Sequence, residues 1–153
     1  MQTSATDRIE KTAVLRAPRS RVWRALSDAR EFSAWFLTDF EGEFAAGATL
    51  RGRPRNPGYE HLTIEIRIER MEPERYFSFR WHPYEVDLSK DASTAPTTLV
   101  EFTLEDAPDG TRLTVTESGF DALPPGRRFE AFRENERGWI EQMQNVRRYV
   151  EGA

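Results

Sequence analysis

From Ile9 to Leu15 apolar and polar positions alternate, with Ile9, Lys11, Ala13 and Leu15 set against Glu10, Thr12, Val14 and Arg16. A period of two predicts a strand. Ala17-Pro18 ends it, and proline suits the first turn of a helix. Val22, Trp23 and Leu26 then share one helical face. Ser27-Asp28 can cap a second short helix, which carries Phe32, Trp35 and Phe36. From Thr38 to Ser118 the period returns to two. Phe40, Gly42 and Phe44 alternate with Asp39, Glu41 and Glu43, and Thr49–Arg53 forms a short strand with Leu50 inward. After the turn signal Asn56-Pro57-Gly58, Leu62, Ile64, Ile66 and Ile68 give the clearest strand in the chain, which Pro73 breaks. Phe77, Phe79 and Trp81 define the next strand. Val100, Phe102 and Leu104 follow, then the turn Pro108-Asp109-Gly110, then Leu113 and Val115.

The period changes again at Pro125. Through Gly152 the apolar residues Phe129, Phe132, Trp139, Met143, Val146 and Val150 fall at helical steps, with Glu136 in the gap between Phe132 and Trp139. About 25 helical residues span roughly 38 Å, more than is needed to cap a small sheet. One apolar face per strand implies an antiparallel sheet with one wet face. This helix is the long amphipathic element available to cover the other face. The pattern predicts an α+β fold: a curved antiparallel sheet wrapped around a long C-terminal helix, with two short helices after the first strand.

At 153 residues the chain is expected to be a single domain, 1–153. Residues 1–7 are expected to be flexible and the polar stretch 84–96 to be a mobile loop. The net charge of -4, with arginines scattered among glutamates, argues against a nucleic-acid partner. The absence of cysteine excludes disulfides and thiolate metal sites. No run is long and apolar enough for a membrane span, the N-terminus does not read as a signal peptide, and a cytoplasmic location is the default expectation.

Glu136 is the sharpest candidate for chemistry. Facing a cavity it would be a desolvated carboxyl able to bind a ligand hydroxyl or move a proton; at the helix edge it would pair with Arg133 or an arginine of the sheet. Glu117 continues the inward set Leu113–Val115. It is either a structural hydrogen-bonding group or, facing Glu136, half of an acid/base pair. His61 and His82 lie at strand ends and make a poor metal set without a third ligand; no metal or cofactor is expected. Arg51, Arg53 and Arg55 share one strand face, wet or anion-reading. Gly138 either lets the last helix approach the sheet closely or is a tolerated helix glycine.

Ala17-Pro18 through Val22-Trp23-Arg24-Ala25-Leu26-Ser27-Asp28, then Trp35-Phe36, resembles the opening of the activator of heat-shock-protein-90 ATPase homologue-like family. That family belongs to the START-like (SRPBCC, birch-pollen-allergen-like) helix-grip superfamily. Trp81-His82-Pro83, Thr97-Thr98-Leu99-Val100-Glu101-Phe102, Thr116-Glu117-Ser118-Gly119-Phe120 and Gly138-Trp139 extend the resemblance over essentially the whole chain. It implies a hydrophobic cavity between sheet and last helix, with Phe79, Trp81, Phe102, Phe132, Glu136, Trp139 and Met143 as its expected ligand-binding lining. Members include small-molecule carriers, sensors, polyketide cyclases and co-chaperone domains, and bacterial relatives are mostly uncharacterised.

Three functions follow as expectations. The first is a non-catalytic binding protein for a hydrophobic or aromatic small molecule, lipid or polyketide-like. The second is a cavity enzyme of the cyclase, dehydratase or hydrolase type using Glu136 or Glu117. The third is a co-chaperone-type module with a protein partner. No glycine-rich nucleotide fingerprint or nucleophile elbow is present.

Overall fold

The computed structural model describes residues 7–86 and 95–152. The expectations of a flexible start and a mobile loop concern, for the most part, residues 1–6 and 87–94, outside the described residues. The elements run β1 (Arg8–Leu15), α1 (Arg19–Ser27), α2 (Ala29–Phe36), β2 (Thr38–Phe40), β3 (Thr49–Pro54), β4 (Ile64–Glu72), β5 (Tyr76–Trp81), β6 (Thr98–Ala107), β7 (Gly110–Ser118) and α3 (Pro125–Glu151), with a 3-10 turn at Phe120–Ala122. The described strands form one open antiparallel sheet in the order β1-β7-β6-β5-β4-β3-β2. It is the α+β helix-grip arrangement that the periodicities predict.

Local chemistry explains the boundaries. The Asp28 carboxylate accepts from the backbone N–H of Arg30 at 2.9 Å and of Glu31 at 3.1 Å, capping α2 as expected. β2 is shorter than its alternation suggests. Gly42, at φ 109, turns the chain out of the sheet, and Phe44 packs from the following loop onto Phe77, ring centroids 5.7 Å apart. Gly52 of β3 pairs with Phe40, whose ring lies where a side chain at 52 would go, 2.6 Å from a Cβ built there.

Helix α2 fills the middle of the sheet's inner face. The Phe32 ring lies 6.4 Å from Phe77, 6.3 Å from Phe79 and 6.4 Å from Phe102. Each of these phenylalanines is fully buried, a burial that contributes about 1.5–3 kcal/mol per side chain. Helix α3 lies along β1 and α2 and buries Ala131, Trp139, Met143, Val146 and Val150. Gln142 donates to the carbonyl of Phe36 at 3.0 Å. At the far end, the Arg147 guanidinium donates to the carbonyl of Val14 at 3.1 Å, and the backbone N–H of Arg16 donates to Glu151 at 2.9 Å.

The first half of the α3 stripe departs from the expected line. Back from Trp139 the buried residue is Ala131, with the half-buried Asn135 between them bonded to the Pro83 carbonyl, while the half-buried Phe132 and Glu136 lie to the side. Phe129 is 57 % exposed, and Phe132 packs sideways on Phe120 at 5.3 Å. Sequence steps of three and four fit both lines, and the crossing of the helix over the sheet selects one. No described helix is long and apolar enough to cross a membrane.

Candidate functional site

A groove of about 1310 Å³ opens to solvent between the first half of α3, the loop from β3 to β4, and the loop that follows β5. Its floor is apolar, with Phe36, Ile64, Trp81 and Trp139. Its walls are polar, with His61 and His82 on the loops and Asn135 and Gln142 on the helix. The loop after β5 is fastened to the helix at two points. The Asn135 amide donates to the carbonyl of Pro83 at 2.8 Å, and the Arg127 guanidinium lies over the Tyr84 ring at 4.9 Å. His82 Nδ1 lies 3.0 Å from the carbonyl of Pro96, which holds the other side of this loop.

The two floor tryptophans converge on Glu117. Register places Glu117 on the inner face, paired with Ile9 of β1 and Val100 of β6. Its Oε1 accepts from the Trp139 indole N–H at 2.8 Å, and its Oε2 accepts from the Trp81 indole N–H at 2.8 Å and the Thr98 hydroxyl at 2.5 Å. The carboxyl thus joins β5, β6, β7 and α3 at one point. It is fully buried, and burial raises its pKa above the ordinary carboxylate range, against the opposing pull of its three donors. The Trp81 and Trp139 ring centroids are 5.8 Å apart. With their N–H groups turned onto Glu117, what the pair presents to the groove is ring surface.

The other expected lining residues are placed elsewhere. Phe79 and Phe102 are buried against α2, and Met143 is buried further along α3. The space that the resemblance assigns to a cavity at these positions is filled by Phe32, Trp35 and Phe36, so the opening lies toward the Trp81 end of the sheet. Glu136 does not face it: its carboxylate meets Lys11 of β1 at 3.5 Å on a half-exposed edge. The edge position is as expected but the partner is a lysine of the sheet, not Arg133 or a sheet arginine, an exposed pairing of the kind that contributes about 0–1 kcal/mol. Neither Glu136 nor Glu117 lines the groove. Gly138 does, and a Cβ built there meets nothing within 4 Å, so it does not mark a close approach of helix to sheet.

Arg51 bridges to Glu65 at 2.9 Å on the groove side of β3 and β4. Arg55 leaves that strand face to bind Asp39 and the last carbonyls of α2, Ser33 at 3.1 Å and Ala34 at 3.3 Å, where a cation suits the helix dipole. Among the described residues no three histidine or acidic side chains converge as a metal would require. The sequence does not single out Phe36, Ile64, Asn135 or Gln142 as lining. Phe36 reads there as core, and no periodicity distinguishes Asn135 from Glu136.

The model of the activator of Hsp90 ATPase homolog 1-like proteins matches residues 16–151. The chain belongs to that family. No curated protein sequence matches it. Among solved structures it is similar to the protein MLL2253 of Mesorhizobium loti, with 20% identity, a TM-score of 0.75, and 95% of this chain and 98% of that one covered. It is also similar to the Aha1 dimer of Colwellia psychrerythraea, at 17% identity and a TM-score of 0.69, covering 94% and 96%. These two likenesses show a shared fold. DynU16, from the dynemicin biosynthetic locus, is 25% identical with a TM-score of 0.72; the match covers 95% of this chain and 47% of that longer one. The fold of this Hsp90-activator-like family is, in general, a ligand-binding or cavity-type architecture.

Proposed function

We propose that the chain is a non-catalytic binding protein for an aromatic small molecule, seated in the groove on the ring surfaces of Trp81 and Trp139. The observation that carries this reading is that both indole N–H groups are turned away from the groove onto Glu117. What remains is a π-surface with no donor to satisfy, suited to a planar ring. The polar walls favour an aromatic body bearing polar substituents over a bare hydrocarbon chain. The likeness to a protein of a biosynthetic locus supports a small molecule as occupant. A co-chaperone-type surface has less support: Phe129 and Ile140, both exposed on α3, lie about 16 Å apart along the helix.

The test is a thermal-shift screen of planar aromatics, flavonoid-like compounds and polyketides, followed by Trp81→Ala. A ligand present at 100 times its dissociation constant stabilises the fold by about 2.7 kcal/mol. We expect an upward shift of the melting temperature for at least one aromatic class, lost in the variant. A screen that moves nothing, with no carried ligand seen by native mass spectrometry, overturns the reading.

A further inference from the structure

Beneath the groove floor lies a carboxyl against which, among the described residues, no cation is placed. The groups facing Glu117 are the Trp81 indole on β5, the Thr98 hydroxyl on β6, the Trp139 indole on α3 and, across the register on β1, Ile9. Lys11, the next inward residue of β1, is engaged with Glu136. Burial raises the pKa of Glu117, so the field acts at pH values where the group has ionised. An indole whose N–H donates to the carboxylate then gains electron density, and the negative potential of its face increases, with the low local dielectric keeping that field from being screened. Both rings that bind Glu117 line the groove, that of Trp81 half-buried and that of Trp139 only 2% exposed, so the floor is chiefly the Trp81 ring.

The rim has the same sign. Of the guanidinium groups lining the groove, that of Arg51 is bound to Glu65 and that of Arg127 lies on Tyr84. Arg127 keeps its charge there, so among the described residues Glu85, Glu130, Glu134 and Glu141 stand against Arg127 and Arg137. With Glu117 ionised, floor and rim therefore both present negative potential to whatever enters.

We infer that the groove selects positively charged aromatic ligands, such as aryl amines and planar cations, over neutral or anionic molecules of the same shape, with Glu117 acting through the two indoles as the positioning residue for that choice. This rests on the proposed seat of an aromatic ligand on Trp81 and Trp139.

Three matched probes test it on the full chain by calorimetric titration: naphthylmethylammonium, naphthalenemethanol and naphthoate. The ammonium probe is expected to bind roughly two- to fivefold tighter than the alcohol, the range of a cation–π contact, and naphthoate weakest. Glu117→Gln should narrow the ammonium-to-alcohol ratio while the alcohol still binds. Added salt should weaken the rim's share and spare the floor's. Equal binding of ammonium and alcohol, or tighter binding of naphthoate, overturns the charge selection and leaves the aromatic seat standing. Binding of none of the three overturns both.

A second measurement needs no variant. The indole N–H resonances of Trp81 and Trp139 should titrate together as Glu117 takes up its proton. By reciprocity of linked equilibria, the ammonium probe should move that midpoint to lower pH and the alcohol should not. A midpoint that the ammonium probe leaves in place, or the absence of a shared titration, overturns the role of Glu117.

Discussion

The indole nitrogen of Trp139 lies 2.8 Å from Oε1 of Glu117, a bond that ties helix α3 to the inner face of β7. Trp81 reaches the same carboxyl from β5 at 2.8 Å. Glu117→Gln keeps the shape but replaces one acceptor oxygen by a donor. Whichever way the amide turns, one of the indoles or the Thr98 hydroxyl loses its acceptor. A buried donor left without a partner costs about 1–3 kcal/mol. The expected result is a lower urea midpoint at unchanged slope, together with altered tryptophan emission. Unchanged stability would contradict the pinning role.

The pH dependence of stability has a definite sign. Glu117 has its pKa raised above the ordinary value of 4.5 by burial. Below that value both folded and unfolded chains hold the proton. Between it and the raised folded value only the folded chain does, so stability falls as pH rises and the loss is complete above the folded value. The stability of the parent minus that of Glu117→Gln should therefore decline as pH rises from about 4.5 upward. Urea titrations of both proteins across pH measure it; a difference that grows with pH has the wrong sign.

Gly110 closes the β6–β7 turn at φ 155, and a Cβ built there falls 2.0 Å from the carbonyl oxygen of Leu15. Gly110→Ala must displace the end of β1 or the turn, at a cost of about 1–3 kcal/mol for the strained backbone alone. Thermal unfolding should show a clear drop. Gly138→Ala is the contrasting case, because open space surrounds that position and alanine favours the helix by about 1 kcal/mol.

Glu136→Gln removes only the half-exposed contact with Lys11. Stability should change by less than about 0.5 kcal/mol, and binding of an aromatic probe in the groove should match the parent. A loss of binding would move Glu136 back toward the site.

The two carboxylates mark where the sequence is legible and where it is not. Glu117 sits on a strand, where a period of two leaves only two faces, so its inward direction follows from Leu113 and Val115. Glu136 sits on a helix, where steps of three and four diverge by a large angle. The choice between the Phe132–Glu136 line and the Ala131–Asn135 line depends on how α3 crosses β1, which no local pattern encodes. The same limit applies to Phe79 and Phe102. Their burial is plain from the alternation, but only the position of α2 decides that Phe32 and Trp35 fill the space above them. The element types and order were readable because each bears a strong period bounded by proline, glycine or a capping residue.

The two contacts at the end of α3 bear on association between molecules. An open sheet has two edges, each a potential template for a strand from another chain. On β1 the carbonyl of Val14 and the neighbouring N–H of Arg16 are already occupied by Arg147 and Glu151. At the other edge β2 offers only three residues, Thr38–Phe40, too short to nucleate a stable added strand. The helix that closes the core thus also occupies the last pairing groups at the Leu15 end of that edge, and loosening its last two turns would free them to pair with a strand of another chain.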